Sequence, residues 1–407
     1  MLMKSGPEFV RMRNSIMVLT ALRRNGPLSH TDLSDLTGLS SATVSAITAE
    51  LERDCILEKM DNHSAPGRGR PRVSFSQRRD SGYIAAVRIS SDQVQYSLVD
   101  YSGALMDRFT ESRTVAGETV AAFIPTVSAA LDRLALRSHL PLAKILVLSI
   151  SSKGLVDQFG PKLLWSPVFG SNVLDFSKVF SRLPHAKIIL SNETRLVAAA
   201  LGRRLEKTEN TGFRSAAALS LGHSIGLGLV RREADGSHHV IAPDFGHMLH
   251  APQGGLCRCG SQGCIEASAG FYAILRAAFE VPADTIPAKF VPLAEMDKIA
   301  QSARHGNRAA EYAFRQAGVA LGNGLSRVIS LNERMPIIMT GPGIRFYDLL
   351  ERGVSDGLTA SRMIRLGGLP PITIADDEPE LVFEGHLDLA LSHIDHDIVM
   401  SRHFGPE

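Results

Sequence analysis

The chain has 407 residues, 44% of them apolar and 21% charged, and a formal net charge of +2. Such a composition excludes a disordered chain, the length predicts two or three domains, and the near-zero charge by itself selects neither nucleic acid nor membrane as partner. No apolar run approaches the ~20 residues of a membrane helix, and the opening MLMKSGPEFVRMRNS lacks the apolar centre of a secretion signal, so the reading is a cytoplasmic protein without membrane association.

Residues 9–24 place Val10, Ile16, Met17, Leu19 and Leu22 at helical spacing, and Asn25-Gly26-Pro27 stops the helix. A second helix is expected over 29–37. Ser29 with Asp32 three residues on resembles a capping box, with Asp in place of Glu. Gly38 turns the chain into a third helix over 41–54, whose buried stripe is Val44, Ile47 and Leu51. Helix, glycine turn, helix at this length is the helix-turn-helix pattern. Residues 56–59 and 72–75 alternate like the strands of a hairpin, and their connection, DNHSAPGRGRP, reads as a wing. Residues 64–79 hold five arginines and no acid.

A recognition helix needs short polar side chains at its N-terminal end for base edges and phosphates. Ser40, Ser41, Thr43 and Ser45 suit this, with Thr48 a turn further on. Arg68 and Arg70, flanked by glycines, suit a narrow minor groove. Taken singly, the serines read as caps and the arginines as a solvated linker. The whole order of three helices and an Arg-Gly wing predicts a winged helix-turn-helix domain over 1–80 that binds double-stranded operator DNA.

From Gly82 the character changes. YIAAVRIS and VQYSLVD read as paired strands, and a helix is expected over 118–138. KILVLSIS and KIILSN are further strands, each followed by a turn and helical sequence. SAAALSLGHSIGLGLVRR reads as strand, glycine-rich turn, strand. One long helix is expected over 304–332, PIIMTGPG is a strand ending in a glycine turn, and EGHLDLALSHIDHDIV is helical. Strands alternating with helices predict an α/β body.

His247, Cys257, Cys259 and Cys264 form H-x9-C-x-C-x4-C. Three thiolates and one imidazole satisfy tetrahedral Zn²⁺ with no position left for a catalytic water, so the expected cofactor is a structural zinc. The alternative is buried free cysteines beside an unrelated histidine. Cys55, at the end of the third helix, reads as a small core residue without a redox role.

The stretch from His247 through Cys257-Arg258-Cys259-Gly260-Ser261-Gln262-Gly263-Cys264-Ile265-Glu266 resembles the zinc motif of the ROK family of repressors, open reading frames and sugar kinases. Pro243-Asp244-Phe245-Gly246-His247 resembles that family's G-E-x-G-H, and Leu221-Gly222-His223-Ser224-Ile225-Gly226-Leu227-Gly228 its L-G-T-G-I-G-x-G. Asn192-Glu193 stands where the family has Asn-Asp. The resemblance covers residues 9–395, and a winged helix ahead of such a body looks like the repressor branch. It implies an actin-like (ribonuclease H-like) two-lobed sugar-kinase fold, with a first lobe over 81–192 completed by a return helix near 382–401, and a second lobe over 193–381 with the zinc site and dimerisation helices. It also implies a homodimer or dimer of dimers. A sugar or sugar derivative would bind in the cleft at Asn192, Glu193, Asp244, His247 and Glu266, with His247 shared between zinc and a hydroxyl.

The departures matter as much. Where family kinases begin the body with D-x-G-G-T, this chain has Arg88-Ile89-Ser90-Ser91-Asp92, and His223-Ser224 replaces Thr-Gly in the second phosphate loop. Lost glycines and a carboxylate disfavour ATP phosphates, so no catalytic residue is assigned. The acid lengths are exchanged at Glu193 and Asp244, predicting a cleft of altered shape. Lys153 stands where the family has a Pro-Gly turn, and predicts a preference for an acidic or phosphorylated ligand. The expected function is a repressor of carbohydrate-utilisation genes whose DNA affinity a cleft ligand changes. The rivals are an active sugar kinase and a regulator controlled by a protein partner.

Overall fold

The computed structural model describes residues 6–61, 73–113, 120–179, 181–208, 213–233 and 236–404. The N-terminal part comprises α1 (Pro7–Asn25), β1 (Leu28–Ser29), α2 (His30–Thr37), α3 (Ser41–Arg53), β2 (Leu57–Asp61) and β3 (Val73–Gln77). Its punctuation is local chemistry. Pro7 opens α1, and Gly26, at φ +78, closes it. Ser29 and Asp32 form a true capping box, and Gly38 takes the left-handed conformation that ends α2. The strands pair in the order β1-β3-β2, all antiparallel. Leu19, Leu22, Leu33, Val44, Ile47 and Leu51 fill the core between the helices.

The first lobe follows: β4 (Tyr83–Ile89), β5 (Gln93–Asp100), β6 (Leu105–Ser112), α4 (Val120–Arg137), β7 (Ile145–Ser152), β8 (Leu155–Val156), β9 (Lys162–Trp165), β10 (Leu174–Asp175) and β11 (Lys187–Asn192). The second lobe contains α5 (Glu193–Thr208), β12 (Ser215–Ser220), β13 (Gly226–Arg232), β14 (His238–Ile241), α6 (Glu266–Ala269), α7 (Phe271–Ala278), α8 (Leu293–Arg304), α9 (Arg308–Leu331), β15 (Ile337–Thr340), α10 (Tyr347–Thr359), α11 (Arg362–Gly367) and β16 (Ile372–Ile374). The last helix, α12 (Glu378–Phe404), returns to pack on β4 and β7.

The two main sheets repeat one topology. Their orders are β6-β5-β4-β7-β11 and β14-β13-β12-β15-β16. In each, an antiparallel meander supplies three strands and two parallel strands extend it. Apolar strands such as YIAAVRI are buried on both faces, as covered parallel strands require. A small sheet, β10-β9-β8, stands apart as a flap. α5 packs on β12 and β13, whereas α12 packs on the first sheet, and the two helices lie against each other at the junction of the lobes.

The helix expected over 304–332 is present but starts at Arg308. α8 ends at Arg304, Gly306 takes φ +87, and Asn307 caps a new helix by accepting from the Ala310 N–H at 2.9 Å. α9 then crosses α10 closely: a Cβ at Gly318 or Gly322 would meet the Leu350 or Val354 carbonyl oxygen, and one at Gly353 or Gly357 the Arg315 or Val319 carbonyl oxygen. No described helix is long and apolar enough to cross a membrane.

Candidate functional site

The N-terminal face of α3 carries the expected polar side chains in two roles. The Ser40 hydroxyl caps the helix, accepting the Thr43 N–H at 3.2 Å and pairing with its hydroxyl at 2.8 Å. Ser41 and Ser45 are exposed beside it and free to meet a groove. Thr48 is not on that face. It is 1% exposed and bonds the Val44 carbonyl and the His30 ring, so it holds α2 against α3. Cys55 is also corrected: it is exposed, in a turn at φ +59, with no place in the core. Arg68 and Arg70 lie outside the described residues.

Between the lobes lies a cleft of about 250 Å³. Its walls are Lys153, Leu155, Trp165 and Pro167 from the flap side, with Asn192 and Thr194, and Ser224, Asp244, His247 and Glu266 from the second lobe. Four of the five expected ligand residues therefore line one space. Glu193 does not: its side chain is 1% exposed and the Arg88 guanidinium has captured it, with Lys153 Nζ 3.7 Å from the other oxygen. Burial alone would raise the Glu193 carboxyl, but Arg88 and then Lys153 outweigh it and hold the group ionised below its ordinary range. Arg88 also faces Glu378 at 3.7 Å, and Glu378 accepts the Ser220 hydroxyl. Sequence reasoning saw Arg88 only as a lost phosphate contact, because nothing local announces partners on α5 and α12.

His223 lies between Phe290 (centroids 4.5 Å) and Phe271 (5.0 Å), and burial, with Lys153 and Arg258 nearby, pushes it down to about 4. The loops around Leu221 and Gly341 touch directly: the Gly343 N–H donates to the Leu221 carbonyl at 2.9 Å, and a Cβ at Gly222 would strike Pro342.

His247 and the three cysteines converge, all ligand atoms within 4.8 Å of one another, and can hold a metal ion. His247 Nδ1 is 3.6 Å from Cys257 Sγ, and the Cys259 and Cys264 sulfurs are 3.7 Å apart. Gly260 and Gly263, at φ +93 and +75, let the loop turn tightly enough to gather them.

His386 of α12 is buried between two serines of β7, 2.7 Å from Ser149 Oγ and 2.9 Å from Ser151 Oγ. Burial drives its pKa down to about 3 despite Glu193. The unfolded chain binds a proton near pH 6.5 that the fold refuses, so stability present above that pH is lost as pH falls toward about 3. At pH 5 this group is expected to remove roughly 2 kcal/mol relative to pH 7. Urea unfolding at both pH values should show a shallower loss for His386→Gln; equal losses would exclude His386 as the cause.

The family model described as ROK family matches residues 84–359, and one described as winged helix-turn-helix DNA-binding matches 13–54. The chain is 22% identical to the DNA-binding transcriptional repressor Mlc of Escherichia coli (strain K12), over 86% of each chain. It is 21% identical to the xylose repressor of Bacillus spizizenii, over 94% of this chain and 97% of that one. Among solved structures, a ROK family transcriptional regulator described as a homolog of the E. coli Mlc protein superposes with a TM-score of 0.69 at 19% identity. That match covers 94% of this chain and 99% of the other and shows a shared fold.

Proposed function

Because the chain belongs to the ROK family, with a winged helix-turn-helix ahead of the family body, we propose that it is a transcriptional repressor of carbohydrate-utilisation genes whose affinity for operator DNA changes when a sugar or sugar derivative enters the cleft. Residues 1–80 form the DNA-binding head, 81–192 with the return helix 382–401 the first lobe, and 193–381 the second. The working assembly is a homodimer or dimer of dimers, which presents two α3 helices to operator half-sites. Ser40, Ser41, Thr43 and Ser45 contact the duplex, joined by Arg68 and Arg70 of the wing.

One observation carries the reading: adjacent arginines at the end of α1 grip both lobes. Arg23 bonds Asp395 of α12 at 2.7 Å and the Tyr101 carbonyl at 2.8 Å, while the Tyr101 hydroxyl donates to Asp395 at 2.6 Å. Arg24 reaches Glu206 of α5 at 3.6 Å, and Glu206 is held in turn by Arg232 at 3.3 Å and His238 at 3.1 Å on the second sheet. α5 begins at the cleft, beside Asn192, and ends at the head. A ligand that changes the angle between lobes thus strains one grip or the other, and shifts DNA affinity by its differential affinity for the two states.

The metal set fits zinc. A tetrahedron with Zn–S of about 2.3 Å has S···S edges of about 3.8 Å, close to the 3.7 Å between Cys259 and Cys264. His247, Cys257, Cys259 and Cys264 would hold it. It would supply no chemistry beyond cross-linking the loop and orienting His247 toward the cleft. Ligand hydroxyls then meet Asp244 and His247, with Asn192 and Glu266 at the cleft wall. Kinase activity is not proposed. The Arg88–Glu193 pair engages the position of the family's general base, and His223, packed against Phe290, stands in the loop where the family has Thr-Gly.

The test is fluorescence anisotropy on the gene's own upstream DNA at two salt concentrations, with a panel of sugars and sugar phosphates. Specific binding should weaken with salt, and one ligand should shift it about tenfold, a coupling near ~1.4 kcal/mol. DNA binding indifferent to every ligand would favour control by a protein partner. Coupled ADP release above background with any sugar would restore the kinase reading.

A further inference from the structure

The cleft's polar groups are unequally available. The Asn192 carbonyl accepts both the Thr194 N–H at 2.9 Å and its hydroxyl at 2.6 Å, and the amide donates to the Gly154 carbonyl at 2.7 Å. Glu193 belongs to Arg88. Glu266 is held from both sides: one oxygen accepts the Ile225 N–H at 3.2 Å, the other the Arg258 guanidinium at 3.1 Å.

Arg258 sits between two of the zinc-set cysteines, and its side chain is 7% exposed. It also bonds the His223 carbonyl, approaches Ser224 Oγ at 3.3 Å, and lies over the Tyr272 ring at 4.9 Å. A guanidinium so enclosed, on a carboxylate itself 1% exposed, is not displaced cheaply by a neutral hydroxyl. Among the described residues, Asp244, the Trp165 indole N–H and the second nitrogen of His247 are cleft groups without a side-chain hydrogen-bond partner. Beside them stands an apolar wall: Trp165 meets the His247 ring edge-on at 5.0 Å, next to Leu155 and Pro167.

We propose that Arg258 is a specificity-determining residue that withdraws Glu266 from hydroxyl recognition, so that the cleft takes a glycoside rather than a free sugar: a ligand offering adjacent hydroxyls to Asp244 and His247 and an apolar aglycone to Leu155, Trp165 and Pro167. The inference rests on the reading of the cleft as a sugar site. With Glu266 held by Arg258, a fully hydroxylated sugar loses one acceptor on the second-lobe side and buries further hydroxyls against Leu155 and Pro167 on the flap side, each at the cost of an unmade hydrogen bond. An aglycone turns that flap wall into buried apolar contact, and the aromatic face of Trp165 suits it.

The test is calorimetric titration of the zinc-loaded, full-length protein. The probes are glucose, galactose, mannose and xylose, and the p-nitrophenyl glycosides of each in both anomers. The native chain should bind at least one glycoside ten-fold or more tighter than its free sugar. Arg258→Gly should narrow that gap by gaining affinity for the free sugar. Arg258→Gln, which removes the charge but keeps an unbranched stem and so fills more of the space than glycine, guards against a collapsed zinc loop, with metal content and melting as controls. Trp165→Ala should narrow the gap from the opposite side, by weakening the glycoside alone. Free sugars that bind as tightly as glycosides, or Arg258 variants that leave the gap unchanged, would overturn the proposal while the sugar site stands. Failure of every probe to bind the native chain and the variants would remove the sugar site and this inference together.

Discussion

Replacing Cys264 by serine is expected to lower the melting temperature by about 6–12 °C and to abolish any effect of a cleft ligand on DNA binding. Cys264 is buried, and its neighbours in sequence are Ile265, packed with Phe245 in the second-lobe core, and Glu266 of the cleft wall. The loop that delivers them is framed by the Gly263 N–H to the Gly255 carbonyl at 3.0 Å, the Ile265 N–H to the Met248 carbonyl at 3.0 Å and the Arg258 contacts, and the metal would add to that frame. The loop's internal bonds are the Cys257 N–H to the Ser261 carbonyl at 2.8 Å and the Gly260 N–H to the Cys257 carbonyl at 3.0 Å, and it contains two glycines with positive φ. Hydroxyl for thiolate removes one of four ligands, and metal binding to such a set is folding free energy. A loss of ~3 kcal/mol corresponds to the melting shift given above for a lobe of this size. The head keeps its own core, so DNA affinity without ligand should change only a few-fold. A chelator should bring the native chain to the variant's melting temperature and leave the variant where it is. A Cys264→Ser protein with stoichiometric zinc and native melting would show that the loop does not depend on the metal.

What could be read in advance followed the range of the physics. Caps and breakers act within a turn of helix, so Ser29, Asp32, Gly26 and Gly38 gave the head its boundaries, and the cysteine spacing brought the metal set together before any coordinates. The winged helix and the two-lobed body are both as the motifs implied. The start of the long helix was set at 304 rather than Arg308, where the positive φ of Gly306 and the Asn307 cap place it. The flap strands β8–β10 were missed because they are too short to carry a period. Glu193 was placed in the cleft because its neighbour Asn192 belongs there. Its capture depends on Arg88, far off in sequence, and no periodicity reports a long-range ion pair. Lys153, expected to attract an acidic ligand, lines the cleft and also lies 3.7 Å from Glu193, a second long-range pair that no periodicity reports. Arg258 was quoted only as a spacer between cysteines, though its guanidinium decides what Glu266 can do.

Asp395→Ala is expected to uncouple head from body, with the larger effect on communication and the smaller on folding. The Asp395 side chain is 5% exposed and takes two charged contacts from Arg23 and the Tyr101 hydroxyl. Burial and the Asp395 charge hold the Tyr101 phenol well above its ordinary pKa, so it stays protonated and donates. Removing the carboxylate leaves the Arg23 guanidinium, 15% exposed, with the Tyr101 carbonyl and ring as partners. Breaking a buried pair on one side costs about 3–5 kcal/mol, and the surviving Tyr101 contacts place this case at the lower end. The apolar cluster of Leu19, Leu22, Leu33 and Ile47 continues into Tyr101, Leu391 and Ile394 of the body, so the head stays docked and the cost is read as a lower melting temperature. In anisotropy, DNA should still bind, but the ligand-dependent factor should approach one. Arg24→Gln acts on the exposed side of the same joint, where Arg24 is 46% exposed and a pair of this kind is worth about 0–1 kcal/mol. It should leave melting unchanged and reduce the ligand factor only in part. A full ligand response in Asp395→Ala, with native-like melting, would mean that cleft and head communicate by a route other than this joint.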